Sequence, residues 1–107
     1  MILLLSVCFG NAQTEPSLEP ENLTKVEKVY PNPMDEHIIV EITSEEYANA
    51  TFILMDILGN TVQRWDAREL TPGLQNVRLN LKNLHSGIYL LKVVINNKSF
   101  VHRLRKV

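Results

Sequence analysis

From about residue 26 onward, apolar residues recur at every second position in short runs, and each run stops at a cluster of turn-forming residues. Successive side chains of an extended chain point to opposite faces, so this period buries one face and wets the other. Ile38, Val40 and Ile42 fall on one side of their run, with His37 and Glu41 on the other. Val77, Leu79 and Leu81 alternate with Arg78, Asn80 and Lys82. Tyr89, Leu91, Val93 and Ile95 share a face, and the opposite face is also apolar except for Lys92, which suits a central strand. The runs cover residues 26–30, 37–42, 51–56, 61–65, 75–81, 88–95 and 99–104. Spacings of roughly 8–12 residues predict an all-β chain folded as a small antiparallel β-sandwich of about seven strands.

The punctuation between runs has physical causes. Thr71-Pro72-Gly73 fits a type II turn, with proline setting φ and glycine taking the left-handed position. Asn96-Asn97 suits a two-residue hairpin loop, because asparagine tolerates positive φ. Asp56-Ile57-Leu58-Gly59-Asn60 is a short loop in which Gly59 or Asn60 supplies the left-handed residue. Residues 81–84 are a weak helix candidate and read better as a turn. Tyr30-Pro31-Asn32-Pro33 contains two rings that fix φ and delete a donor, and each proline pushes the residue before it to extended geometry. The expectation is a stiff extended lead-in that borders a strand.

Ahead of these runs, residues 1–9 are apolar but too short to cross a bilayer as a helix. Small residues at Gly10 and Ala12 then suggest a secretory signal peptide over 1–12, cut between Ala12 and Gln13. No Lys or Arg precedes the apolar run, which departs from that pattern. Cleavage would remove Cys8, the one cysteine of the 107 residues, so an exported product would rely on packing without disulfides. Residues 13–25 are polar, contain Pro16 and Pro20, and read as a flexible leader. No transmembrane segment is expected in the mature chain.

Side chains that could carry chemistry are sparse. His37 lies near Asp35, Glu36 and Glu41, but no second His or Cys completes a metal ligand set. His85-Ser86 precedes Gly87 in a polar loop, and neighbours on an extended chain point apart. Asp56 and Asp66 read as turn residues, and no glycine-rich phosphate loop is present. No catalytic residue, metal or cofactor is expected. A net charge of −1 argues against a general nucleic-acid binder. Trp65, Tyr47 and Phe52 could form a sugar-stacking platform, which is the basis of an alternative reading as a free-standing adhesion or carbohydrate-binding sandwich.

Charge is uneven along the chain. Residues 98–107 carry Lys98, His102, Arg103, Arg105 and Lys106 with no acid. Charged residues on a terminal strand can guard a sheet edge, and they can also form a docking element. The order of signals also has a family resemblance. Tyr30-Pro31-Asn32-Pro33 comes first, then residues 52–62 with Asp56 and Gly59. Leu79, Leu81 and Leu84 precede Gly87-Ile88-Tyr89, and a basic end closes the series. Residues 29–107 thus resemble the type A C-terminal sorting domain of the type IX (Por) secretion system of Bacteroidota.

The resemblance implies an Ig-like sandwich that acts as an address label. It would be recognised by the outer-membrane translocon and removed by a sortase-like cysteine peptidase. The cargo would be released or attached to anionic lipopolysaccharide. Residues 26–107 would be the sorting domain. Tyr30, Pro31, Asn32 and Pro33 would shape its start, Asp56 and Gly59 would mark its middle turn, Gly87 and Tyr89 would organise a central strand, and Arg103, Arg105 and Lys106 would be the recognised end. Only residues 13–28 lie between the signal and this domain, too few to fold, so little or no cargo is expected.

Overall fold

The computed structural model describes residues 23–107. The signal stretch 1–12, its cleavage residues Ala12 and Gln13, and the leader as far as residue 22 lie outside the described residues. Eight strands form: β1 (Lys25–Tyr30), β2 (His37–Ser44), β3 (Ala48–Asp56), β4 (Thr61–Arg64), β5 (Arg68–Leu70), β6 (Gly73–Asn80), β7 (Gly87–Ile95) and β8 (Lys98–Lys106). Every strand pair is antiparallel. One sheet has the order β1-β2-β6; the other runs β4-β3-β7-β8, with β5 also on β3. Among the described residues there is no helix, and residues 81–85 are irregular.

The alternation read from the sequence sets which side chains the two sheets share. Ile38, Val40 and Ile42 from β2 meet Phe52 and Leu54 from β3, with Val77 and Leu79 from β6 and Tyr89, Leu91, Val93 and Ile95 from β7. Each fully buried Ile, Leu or Phe is worth about 1.5–3 kcal/mol relative to exposure. β7 pairs on both sides, with β3 and β8, so it is the central strand expected from its two apolar faces. The turns follow their residues. Gly59 and Gly73 take positive φ (93° and 108°), and so does Asn96 (56°) in the β7–β8 hairpin.

Three features of the structure add detail to that outline. The chain has eight strands, because β4 and β5 are two pieces of one broken strand along β3, joined through Trp65 N–H donating to the Phe52 carbonyl. Arg68-Glu69-Leu70 carries no apolar alternation, and β5 is held by pairing along the otherwise free edge of β3 and by the buried Leu70. β1 starts at Lys25, and Thr24 is buried, its hydroxyl accepting from the Glu45 N–H at 3.1 Å. Finally, both X–Pro bonds of Tyr30-Pro31-Asn32-Pro33 are cis, and residues 31–33 bend instead of running straight.

Hydrogen bonds to backbone bridge the two sheets along one open side of the sandwich and at one end of the other. On one side Gln63 Nε2 and Trp65 Nε1 both donate to the Asn80 carbonyl (2.9 and 3.0 Å), and Arg68 Nη2 donates to the Arg78 carbonyl (3.2 Å). On the other side, the loop after β1 reaches across to β8.

Candidate functional site

That loop brings the separated motifs together. Asn32 presents its amide to the outer edge of β8, where Oδ1 accepts from the Arg105 N–H (2.9 Å) and Nδ2 donates to the Arg103 carbonyl (3.4 Å). A carboxamide carries one acceptor and a donor group in nearly the spacing of a peptide unit, so it can complete a strand edge as backbone would. Two residues on, Met34 N–H donates to the Arg105 carbonyl (2.7 Å), and Met34 forms a parallel bridge with Lys106. The Met34 side chain is only 3% exposed, which anchors the loop in the core. Proline at 31 and 33 carries no N–H, so the bend leaves no backbone donor to satisfy at these two positions.

The Gly87-Ile88-Tyr89 start of β7 lies directly under this contact. Gly87, Ile88 and Tyr89 pair with Lys106, Arg105 and Leu104. Tyr89 is buried and its hydroxyl donates to the His85 carbonyl (2.7 Å), tying the β6–β7 loop to the strand it precedes. On its other side Tyr89 pairs with Asp56. Asp56 Oδ1 accepts from the N–H groups of Leu58 and Asn60 (both 2.9 Å), and Oδ2 accepts from Asn60 Nδ2 (3.1 Å). The backbone bond from Asn60 contributes most, and together with the weaker bonds from the Asn60 side chain and the turn N–H groups it outweighs desolvation and holds the Asp56 carboxyl below its ordinary range. Tyr30, Pro31, Asn32, Pro33, Asp56, Gly59, Gly87, Tyr89, Arg103, Arg105 and Lys106 therefore gather at one end of the sandwich.

The basic residues of that end divide between two faces. Arg103 and Arg105 are exposed on the outer face of β8, about 7 Å apart along the strand. Lys106 points the other way and lines a cleft with Asp35, Glu36 and Leu84. No carboxylate among the described residues forms an ion pair with Arg103 or Arg105. An open cleft of about 520 Å³ runs between the loop and the strands, lined by Asn32, Pro33, Ile88, Arg103, Leu104 and Arg105. His102 lies on the inward-facing side of β8, where burial pushes its imidazole below the usual value. Met34 is the residue of this end that the sequence motifs do not mark. A lone apolar residue between Pro33 and Asp35 is the one signal that could have marked Met34.

The proposed sugar platform is not assembled. Phe52 is 0% exposed in the core, and the Trp65 indole N–H is already committed to Asn80. Tyr47, at 78% exposure, stands apart in the β2–β3 turn. Apolar packing took Phe52 because its position on β3 faces the opposite sheet. Among the described residues, no three His, Cys, Asp or Glu side chains gather as a metal-binding group, and no helix is long and apolar enough to cross a membrane.

A comparison with curated proteins finds no match. A comparison with protein families matches residues 28–106, a span that opens two residues before Tyr30-Pro31-Asn32-Pro33 and closes at Lys106. With that match covering most of its length and the end-of-sandwich geometry within it, the chain belongs to the secretion system C-terminal sorting domain family.

Proposed function

We propose that the chain is a non-enzymatic export label of the type A class, read by the type IX outer-membrane translocon at the end where Asn32 meets β8. The family match over residues 28–106 carries this reading, since the family is a sorting module and membership implies export across the outer membrane by that system. Supporting it, the separated motif residues gather at one end of the sandwich, where two unpaired arginines stand exposed beside Asn32. The strand order β1-β2-β6 facing β4-β3-β7-β8 supports an Ig-like sandwich. On this reading residues 1–12 act as a signal peptide cut between Ala12 and Gln13. A sortase-like peptidase removes the label, and attachment to anionic lipopolysaccharide is one fate of the passenger. The leader has no hydrophobic period from which a passenger domain could fold, which supports a label with little cargo in these residues.

The test is a periplasmic reporter fused ahead of residues 23–107 and expressed in a type IX-competent bacterium of the Bacteroidota. Truncating β8 would be a poor control, because Leu104 is 2% exposed in the core and its loss would unfold the domain. The informative variant is Arg103→Glu with Arg105→Glu, which changes an exposed face only. The wild-type fusion should reach the surface or medium and the double variant should remain periplasmic. Equal export of both would refute recognition through these arginines, and retention of the wild type would refute the sorting reading itself.

A further inference from the structure

β8 is paired on one side over its whole length, in unbroken register with β7 from Lys98 opposite Ile95 to Lys106 opposite Gly87. In an antiparallel pair, alternate residues turn their peptide groups toward the partner and the residues between turn theirs away. The bonds from Asn32 and Met34 show which set faces outward, since they engage the Arg103 carbonyl and both peptide groups of Arg105. The same parity places the N–H and C=O of Ser99 and Val101, and the N–H of Arg103, on that outward edge. No strand pairs with them there and no hydrogen bond within the described residues engages them. Val101 is 57% exposed, so its side chain does not cover the edge. The loop thus supplies the beginning of a further strand on β8 and then departs toward β1, leaving the remaining edge open.

Charge decides what can fill it. Arg103 and then Arg105 follow Val101 along the outer face, and Lys92 stands beside Val101 on β7. A second copy of this chain would bring another cationic edge beside the first with no carboxylate on either strand to offset it, since residues 98–107 contain no acid. An extended segment with carboxylates at alternate positions would place them beside these cations while its backbone completes the ladder. We propose that the outward edge of β8 from Ser99 to Arg103 accepts an acidic extended segment of a partner protein as an added strand, continuous with the seat of Asn32. This deepens the sorting reading by naming how the label would be held, and the partner would be a component of the export apparatus.

The experiment uses the full chain and three short blocked peptides. The first alternates Glu with Val, the second alternates Lys with Val, and the third is the Glu-Val peptide N-methylated at alternate amides. Amide hydrogen exchange and NMR shifts report the site. The Glu-Val peptide should protect the amides of Ser99, Val101 and Arg103, while the other two should bind at least about tenfold more weakly, the equivalent of losing one net backbone hydrogen bond or more. Equal binding by the N-methylated peptide would reduce the effect to charge and overturn the proposal. So would protection elsewhere, or dimerisation through this edge.

Val101→Pro removes an outward N–H that takes no part in the β7 ladder, at a type of position where proline is tolerated. It should weaken the Glu-Val peptide about tenfold while Val101→Thr does not. If the proline variant fails to fold, the N-methylated peptide still decides. In the export assay, retention of the Val101→Pro fusion supports the added strand, and its normal export overturns it while leaving the sorting reading intact. Peptide pairing at β8 without export of the wild-type fusion would remove the sorting reading and leave the strand pairing standing.

Discussion

Asn32→Ala isolates the contact on which the gathered end depends. The substitution removes two hydrogen bonds from one side chain, one at 2.9 Å to the Arg105 N–H and one at 3.4 Å to the Arg103 carbonyl. The first is near the optimum distance and the second lies at the weak limit. A net worth of about 0.5–1.5 kcal/mol per bond, with water free to replace part of it at this exposed edge, gives a loss of about 1–2 kcal/mol. For a domain of this size each kcal/mol moves the melting temperature by about 4–8 °C, so a fall of about 4–16 °C is expected. Asn32→Asp keeps an acceptor for Arg105 and loses the donor to Arg103, so its loss should be smaller.

Urea unfolding followed by Trp65 fluorescence gives the global value, and hydrogen exchange gives the local one. The Arg105 amide should exchange faster in Asn32→Ala. The amide of Met34 should change less, because its own bond to the Arg105 carbonyl remains. An Asn32→Ala protein with unchanged melting temperature and unchanged Arg105 exchange would refute the claim that this side chain ties the loop to β8.

Other expectations follow from the same structure. Leu104→Ala, a core truncation opposite Tyr89, should cost about 2–5 kcal/mol in urea unfolding, whereas Arg103→Glu with Arg105→Glu should stay within about 0.5 kcal/mol per site. Gly59→Ala should destabilise by about 1–2 kcal/mol through backbone conformation alone, since φ is 93° and a Cβ there would touch nothing; an unchanged urea midpoint would contradict this. Because Asp56 titrates below 3.8 in the fold, its contribution is present above that pH and lost as pH falls through the folded value; Asp56→Asn should flatten acid unfolding in that range. His102 is also depressed, so the folded form resists protonation and stability should fall as pH drops below 6.5 through the folded value; thermal melts of His102→Gln should show less of this slope.

Much of the fold is legible from two-residue periodicity because that signal is local. Ile38, Val40 and Ile42 must share a face whatever they pair with, and the same is true of Tyr89, Leu91, Val93 and Ile95. β5 is not legible, because Arg68-Glu69-Leu70 has no pattern and is held by the free side of β3. The sugar platform fails for a related reason: Phe52, Trp65 and Tyr47 are near in sequence-run terms, but the parity of β3 sends Phe52 inward.

By itself, the amino-acid sequence determined strand faces, turn positions, the central place of β7 and a family resemblance that the match over residues 28–106 bears out at the level of the sorting domain. What only the tertiary structure decided is that Asn32 meets Arg103 and Arg105, 71 and 73 residues away. Alternation is a relation between residues two apart, whereas this contact requires both sheets to be stacked before a side-chain amide can stand in for a peptide group. The prolines and the basic end are each visible in the chain, but their joining into one surface exists only once the sandwich closes.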